Sequence, residues 1–168
     1  MTNITITASV QVSTDEVYAS LNRKATQAKV RGDWTQAVHL LRQAKAHRGN
    51  SYDDTRLAKF LQQAGQLDEA LTEIAWLVER SQWQAQEAYG HLRASSIQLA
   101  RVMQLLEIYE AAILISKRAR RADLQLQHQI RRDQYEAIRM RLEPLAQADE
   151  DEQQARRDAN RLHGRNDD

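Results

Sequence analysis

The sequence predicts an all-α protein: stacked antiparallel helical hairpins with a capping helix at the C-terminal end. The 168 residues include one proline and five glycines, too few helix breakers for a sandwich or barrel, which needs a turn every dozen residues or so. Apolar residues recur at helical spacing through most of the chain. Two hairpin-like segments also repeat, one beginning at Gly32 and the other at Gly65, an offset of 33 residues.

The first twelve residues do not follow the helical spacing. Their apolar residues alternate with polar ones, which is the period of a β-strand: Ile4, Ile6, Ala8, Val10 and Val12. A single strand is not stable alone, so residues 1–12 are expected to be either an N-terminal arm or a strand that pairs with something, such as its copy in a dimer. Ser13 and Glu16 then have the spacing of a capping box, which predicts a helix from there to about Arg31.

Glycines divide the next segment into helices. Gly32 ends the first helix, and Asp33 can cap a second that ends near His47, before Gly49 and Asn50. A third helix is expected to end at Gly65, and a fourth to run from residue 67 to about residue 80. The short connections between these helices favour two antiparallel hairpins.

The hairpin segments align with each other and with a later part of the chain. GDWTQAVHLLRQA begins at Gly32, GQLDEALTEIAWL at Gly65 and LEIYEAAILISKRA at Leu106. The preceding helix repeats as well, as RLAKFLQQ at Arg56 and QLARVMQL at Gln98. About nine additional residues separate the second copy from the third. The alignment predicts three consecutive helical hairpins over residues 13–126.

Over residues 18–126 this pattern resembles the tetratricopeptide repeat (TPR) family, in which small residues lie where paired helices cross. The small residues at those positions here are Ala25, Ala37, Ala58, Ala70, Ala100 and Ala112. Leu21, Asp54 and Ser96 stand where the family has a large aromatic residue. The resemblance implies a short solenoid, closed by a capping helix over 127–146. Residues 147–168 are then a charged tail, either marginally helical or disordered. The alternative fold is another kind of helical bundle.

The resemblance also implies a binding groove, because the first helix of each TPR pair lines the concave face. The residues projected onto that face are Asn22, Thr26, Lys29, Thr55, Lys59, Gln62, Ile97, Arg101 and Gln104. Lys59 and Arg101 occupy equivalent positions and would suit carboxylates of a bound segment. The expected function is a protein-binding adaptor or chaperone that takes a peptide or helix of another protein. Bacterial type III secretion chaperones are similar in size and architecture.

Composition and motifs argue against several other functions. The chain contains no cysteine, which excludes a thiolate nucleophile and cysteine-ligated metal sites. Its five histidines have no metal-ligand spacing, and it has no HExxH, glycine-rich phosphate loop or GxSxG motif. We therefore expect neither enzymatic activity, nor a catalytic residue, nor a metal or other cofactor. The N-terminal residues do not resemble a secretory signal, and no apolar run is long enough to cross a membrane, so the expected location is the cytoplasm.

A basic segment provides the alternative function. The net charge of the whole chain is +1, but residues 117–141 hold eight basic and three acidic residues. The residues of this possible basic patch are Lys117, Arg118, Arg120, Arg121, Arg131 and Arg132. They could contact nucleic-acid phosphates, although no aromatic residues are interleaved among them for base stacking. The remaining alternative is a self-assembling structural protein, with a homodimer formed through the N-terminal strand or the 117–142 helix.

Overall fold

The computed structural model describes residues 13–163, with side chains described as far as residue 161. These residues form six α-helices and one 3₁₀ turn, and none of them lies in a strand. The helices are α1 (Thr14–Val30), α2 (Trp34–Arg48), α3 (Arg56–Gln63), α4 (Leu67–Tyr89), α5 (Ala94–Arg118) and α6 (Ala122–His163). The predicted all-α class is thus confirmed, whereas the predicted N-terminal strand lies outside the described residues.

The chain divides into two compact units, and the first, residues 1–52, contains the α1–α2 hairpin. Its capping box forms as predicted. The Ser13 hydroxyl accepts a hydrogen bond from the Glu16 backbone N–H at 3.1 Å, and the Glu16 carboxylate accepts one from the Ser13 backbone N–H at 3.1 Å. Asp33 caps α2. Ala25 and Ala37 have no exposed surface, as the packing of two closely approaching helices requires.

The second unit, residues 53–168, contains α3 to α6. The short helix α3 packs against α4 and α5, and α5 packs against both α4 and α6. The core has one fully buried leucine from α4, Leu77, and three fully buried leucine or isoleucine side chains from α5: Leu105, Ile108 and Ile115. The central helix α5 is therefore the element that holds the second unit together.

The third predicted hairpin is wrong, because α5 runs without interruption from Ala94 to Arg118. In the first two copies Gly32 and Gly65 make the turn with φ of 77° and 83°, a conformation that glycine adopts readily. Glu107 stands at the equivalent position of the third copy, so nothing ends the helix there. The additional residues between the second and third copies do not form a separate segment. They extend α4 to Tyr89, beyond its predicted end near residue 80.

The predicted boundaries of the cap and tail, at residues 127 and 147, both fall inside α6. Pro144 lies within this helix without ending it. Long-range contacts hold the residues beyond the proline against the N-terminal end of α5. Asp149 accepts hydrogen bonds from Ser95 and Arg93, and the Arg93 guanidinium also donates to Glu152 at 2.7 Å. These contacts cannot be recognised from local composition.

Five of the six small residues predicted at helix crossings, all except Ala100, have no exposed surface. Ala100 is half-buried. The first two predicted hairpins correspond to α1–α2 and to α3–α4, with α3–α4 in the second unit. The coarse all-α prediction therefore holds, and the TPR resemblance of the repeats stays a prediction.

Candidate functional site

An open groove runs along the second unit between α4 and α6, which flank the central helix α5. Its volume is about 780 Å³. The α4 wall consists of Leu71, Ile74, Ala75, Val78 and Glu79; Tyr109 is the α5 residue at the groove; and the α6 wall consists of Leu124, Gln127, His128, Ile130, Arg131 and Gln134. At 1.5 Å per residue, the lined stretches of α4 and α6 are about 12 and 15 Å long, or two to three helical turns.

The walls are apolar because each helix has a second set of apolar residues besides those that face the core. On α4, Leu71, Ala75 and Val78 follow one another at spacings of four and three residues, so they share one face. On α6, Ile130 keeps 50% of its surface exposed. An exposed apolar surface of this kind, bounded by polar side chains, is typical of an interaction site.

Tyr109 forms the base of the groove and is held by aromatic contacts. Its ring stacks on Tyr135 of α6, with 5.6 Å between ring centroids and an interplanar angle of 20°. The His128 ring lies 6.1 Å from the same tyrosine. Burial, together with the nearby Tyr135, raises the pKa of Tyr109, while Arg131 opposes this shift. The phenol is therefore neutral at physiological pH and acts as a rigid aromatic surface.

His128 adds a polar group to the α6 wall. Its Nε2 atom is buried and has no hydrogen-bond partner within residues 13–163. Burial lowers the pKa of His128, so the neutral imidazole predominates at pH 7. The ring is consequently part of an uncharged wall at neutral pH and becomes charged only in acid.

Two groups of opposite charge border the groove, Glu79 on α4 and Arg131 on α6. Both are exposed. Within the described part of the chain neither forms an ion pair, although one guanidinium nitrogen of Arg131 donates to the side-chain oxygen of Gln134 at 3.3 Å. The apolar walls of the groove are therefore bordered by one acidic and one basic side chain.

Of the nine residues projected onto the concave face, the eight polar or charged ones, all except Ile97, are divided between the two units. Asn22, Thr26 and Lys29 lie on α1 of the first unit. Asn22 is buried, and the Thr26 hydroxyl donates to its backbone carbonyl at 3.0 Å. The Lys29 ammonium lies 5.9 Å from the centroid of the Trp34 ring. Each of the three thus has a local structural contact.

The other five predicted groove residues belong to the second unit and do not line the α4–α6 groove. Thr55 is 2% exposed, and buried polar atoms of Gln62 and Arg101 have no hydrogen-bond partner among the described residues. Lys59 is half-buried on α3. Gln104 hydrogen-bonds to Gln84 of α4.

Gln104 also lines a separate cleft of about 310 Å³, on another part of the second unit. The projection onto a concave wall assumed a third hairpin. It therefore placed Arg101 and Gln104 according to a helix pair that α5 does not form.

The predicted basic patch is partly neutralised. Arg121 pairs with Asp123 at 2.7 Å, and Arg132 with Asp133 at 3.1 Å and Glu110 at 4.0 Å. The remaining four residues, Lys117, Arg118, Arg120 and Arg131, have no carboxylate partner in residues 13–163. Arg131 is the one that the structure places in the α4–α6 groove.

Sequence reasoning missed most of the groove because it assigned one apolar face to each helix. On α4, Ile74 and Leu77 are buried in the core. The additional apolar residues at Ala75 and Val78 extend the apolar arc around α4. This apolar arc is wider than packing against one neighbouring helix requires. Its width is the feature of the sequence that could have indicated a second contact surface.

Metal and membrane sites are not evident in the part of the chain that the structure describes. It contains no cluster of three or more histidine, aspartate or glutamate side chains that could hold a metal ion. None of its helices combines the length and the apolar character needed to span a membrane.

Comparisons with protein-family models, curated proteins and solved structures find no match to this chain.

Proposed function

We propose that this protein is a non-enzymatic interaction module whose second unit binds an amphipathic helix of another protein in the α4–α6 groove. The observation that carries the proposal is the groove itself: two apolar walls from α4 and α6, with Tyr109 at the base. Helix-in-groove recognition uses this arrangement, with apolar side chains of the bound helix spaced three and four residues apart. An adaptor or chaperone role is the corresponding biological function.

The dimensions of the groove support a helix as the occupant. Two or three turns of helix would span the lined stretches of α4 and α6 and would present three or four apolar side chains to them. Packing a fourth helix on α4, α5 and α6 would also complete a four-helix arrangement, which buries apolar faces efficiently. The aromatic ring of Tyr109 and the guanidinium of Arg131 are of the types that dominate binding energies at interfaces.

The test is binding of a fluorescein-labelled amphipathic peptide of about 18 residues, measured by fluorescence anisotropy. Its control is a peptide of the same composition with the apolar residues scrambled around the helix. In the protein, Ala75→Trp fills the α4 wall with a bulky side chain, while Ala155→Trp places the same side chain at an exposed position near the C-terminal end of α6.

We expect the amphipathic peptide to bind and the scrambled peptide to bind at least about tenfold more weakly. Ala75→Trp should weaken binding by a similar factor, and Ala155→Trp should leave it unchanged. Circular dichroism of both variants should match that of wild type, which serves as the control for folding. The proposal is contradicted if neither peptide binds wild type, or if Ala75→Trp binds as wild type does.

One observation supports a second candidate, nucleic-acid binding. Lys117, Arg118 and Arg120 cluster around the α5–α6 turn without carboxylate partners in the described residues. If they contact duplex DNA, log affinity should fall with log salt concentration by about 0.9 per phosphate contact. Absence of binding at low salt would eliminate this candidate.

A further inference from the structure

The two edges of the α4–α6 groove carry opposite charges. Glu79 borders the α4 side and Arg131 the α6 side. Asp68 precedes Glu79 by 11 residues, which is three helical turns, so it lies on the same side of α4. Arg141 follows Gln134 by seven residues and returns to the same face of α6. All four charged side chains belong to exposed residues. The α4 edge is therefore acidic and the α6 edge basic.

These edge charges differ from other charges of α6 in having no ion-pair partner among the described residues. Arg139 is held by Glu136 and Glu143 on its own helix. Asp123 lies 11 residues before Gln134, and so on the same face of α6, but it is paired with Arg121. Glu79, Arg131 and the two residues that extend the edges form no such salt bridge, although Asp68 interacts electrostatically with Arg121 at longer range. They are consequently available to charges on a bound segment without first breaking an existing salt bridge.

A second observation points to a cation on the α4 side of the bound segment. Trp76, Glu79, Arg80 and Trp83 line a small cleft of about 180 Å³ next to the acidic edge. The guanidinium of Arg80 lies 5.5 Å from the centroid of the Trp76 ring, but Trp83 is 67% exposed. Indole faces attract cations, so a basic side chain that crosses the α4 edge would meet both the Glu79 carboxylate and the exposed indole of Trp83.

We infer that the helix bound in this groove is charge-asymmetric, with carboxylates along the flank that faces α6 and basic side chains along the flank that faces α4. The inference rests on the proposed helix-binding function and names the chemistry of its partner. A helix with two acidic flanks would place carboxylates next to Glu79. A helix with two basic flanks would place cations next to Arg131. Like-charge contacts of this kind suppress unsuitable partners.

The test uses three peptides with the same apolar face. One carries Glu on one flank and Lys on the other, the second carries Lys on both flanks, and the third carries Glu on both. A helix can lie in the groove in either of two antiparallel directions. In one of them the asymmetric peptide places its Lys flank against the α4 edge and its Glu flank against the α6 edge. At about 20 mM salt, where exposed charges are weakly screened, we expect it to bind wild-type protein at least about fivefold more tightly than either uniform peptide.

Reversing one edge should change the order of affinities. Arg131→Glu replaces the basic side chain that lines the α6 wall with a carboxylate, so that both charged lining residues are acidic. The peptide with Lys on both flanks should then become the tightest ligand. Arg118→Glu, at the end of α5 and outside the residues that line the groove, is the control and should keep the wild-type order. Equal affinities for the three peptides, or an unchanged order in Arg131→Glu, would overturn the charge inference while leaving helix binding intact. Failure of all three to bind would overturn the proposed function itself.

Discussion

Replacement of Glu107 distinguishes a continuous α5 from the hairpin that the repeat alignment predicts. Glu107 is exposed in the middle of α5 and occupies the position at which Gly32 and Gly65 make turns in the first two copies. Glycine in an exposed helix interior is destabilising by about 1 kcal/mol relative to alanine. Glu107→Gly should therefore unfold at lower urea concentration than Glu107→Ala, with a difference of about 1 kcal/mol in the free energy of unfolding. For a protein of this size the melting temperature should differ by about 2–4 °C.

Gly65, which does lie in a turn, provides the control, because there glycine should be more stabilising than alanine. A Cβ atom at Gly65 would meet no atom within 4 Å, and its φ is 83°. Gly65→Ala should therefore destabilise only through its backbone conformation, by about 1–2 kcal/mol. If residue 107 instead occupied a turn like that at Gly65, Glu107→Gly would be more stable than Glu107→Ala. That order of stabilities would refute the continuous helix and restore the third hairpin.

Three further outcomes follow from the structure. Ala70 is fully buried, so Ala70→Leu should overpack its surroundings and lower the free energy of unfolding by about 1–3 kcal/mol; an unchanged urea midpoint would contradict its burial. Arg120 lies two residues after the end of α5 and has a φ of 58°, so Arg120→Gly should stabilise the protein by about 0.5–1 kcal/mol, whereas Arg118→Gly, in the helix itself, should destabilise it. Because burial lowers the pKa of His128, the unfolded chain takes up a proton more readily than the folded one. Stability should therefore fall as the pH drops below about 6.5, and His128→Gln should flatten this part of a urea-midpoint profile.

The helix ends of the first two hairpins were predictable because local chemistry determines them. The Ser13 and Glu16 capping box, the Asp33 cap and the turns at Gly32 and Gly65 depend on residues adjacent in sequence. Five of the six small crossing residues are also buried as predicted. A small residue within a regular apolar pattern has few functions other than close packing.

The remaining features depend on contacts between residues distant in sequence. The helix α6 continues past Pro144 where Arg93 and Ser95 hold Asp149, and these residues are more than fifty positions apart. The groove likewise combines faces of α4 and α6 that only the packing around α5 brings together. The repeat alignment missed both because it treated similarity of sequence segments as similarity of topology. The third copy has Glu107 where the first two have a turn glycine.

Methyl NMR with the charge-asymmetric peptide tests the helix-binding groove most directly. Ile74, Val78 and Ile130 line the α4–α6 groove and report on it through their methyl resonances. Met103 lines the separate cleft that contains Gln104 and serves as the control. Addition of the peptide should shift the three groove resonances in a saturable manner and leave the Met103 resonance unchanged. Shifts confined to Met103, with Ile74, Val78 and Ile130 unaffected, would place helix binding at the other cleft and contradict the proposed function of the groove.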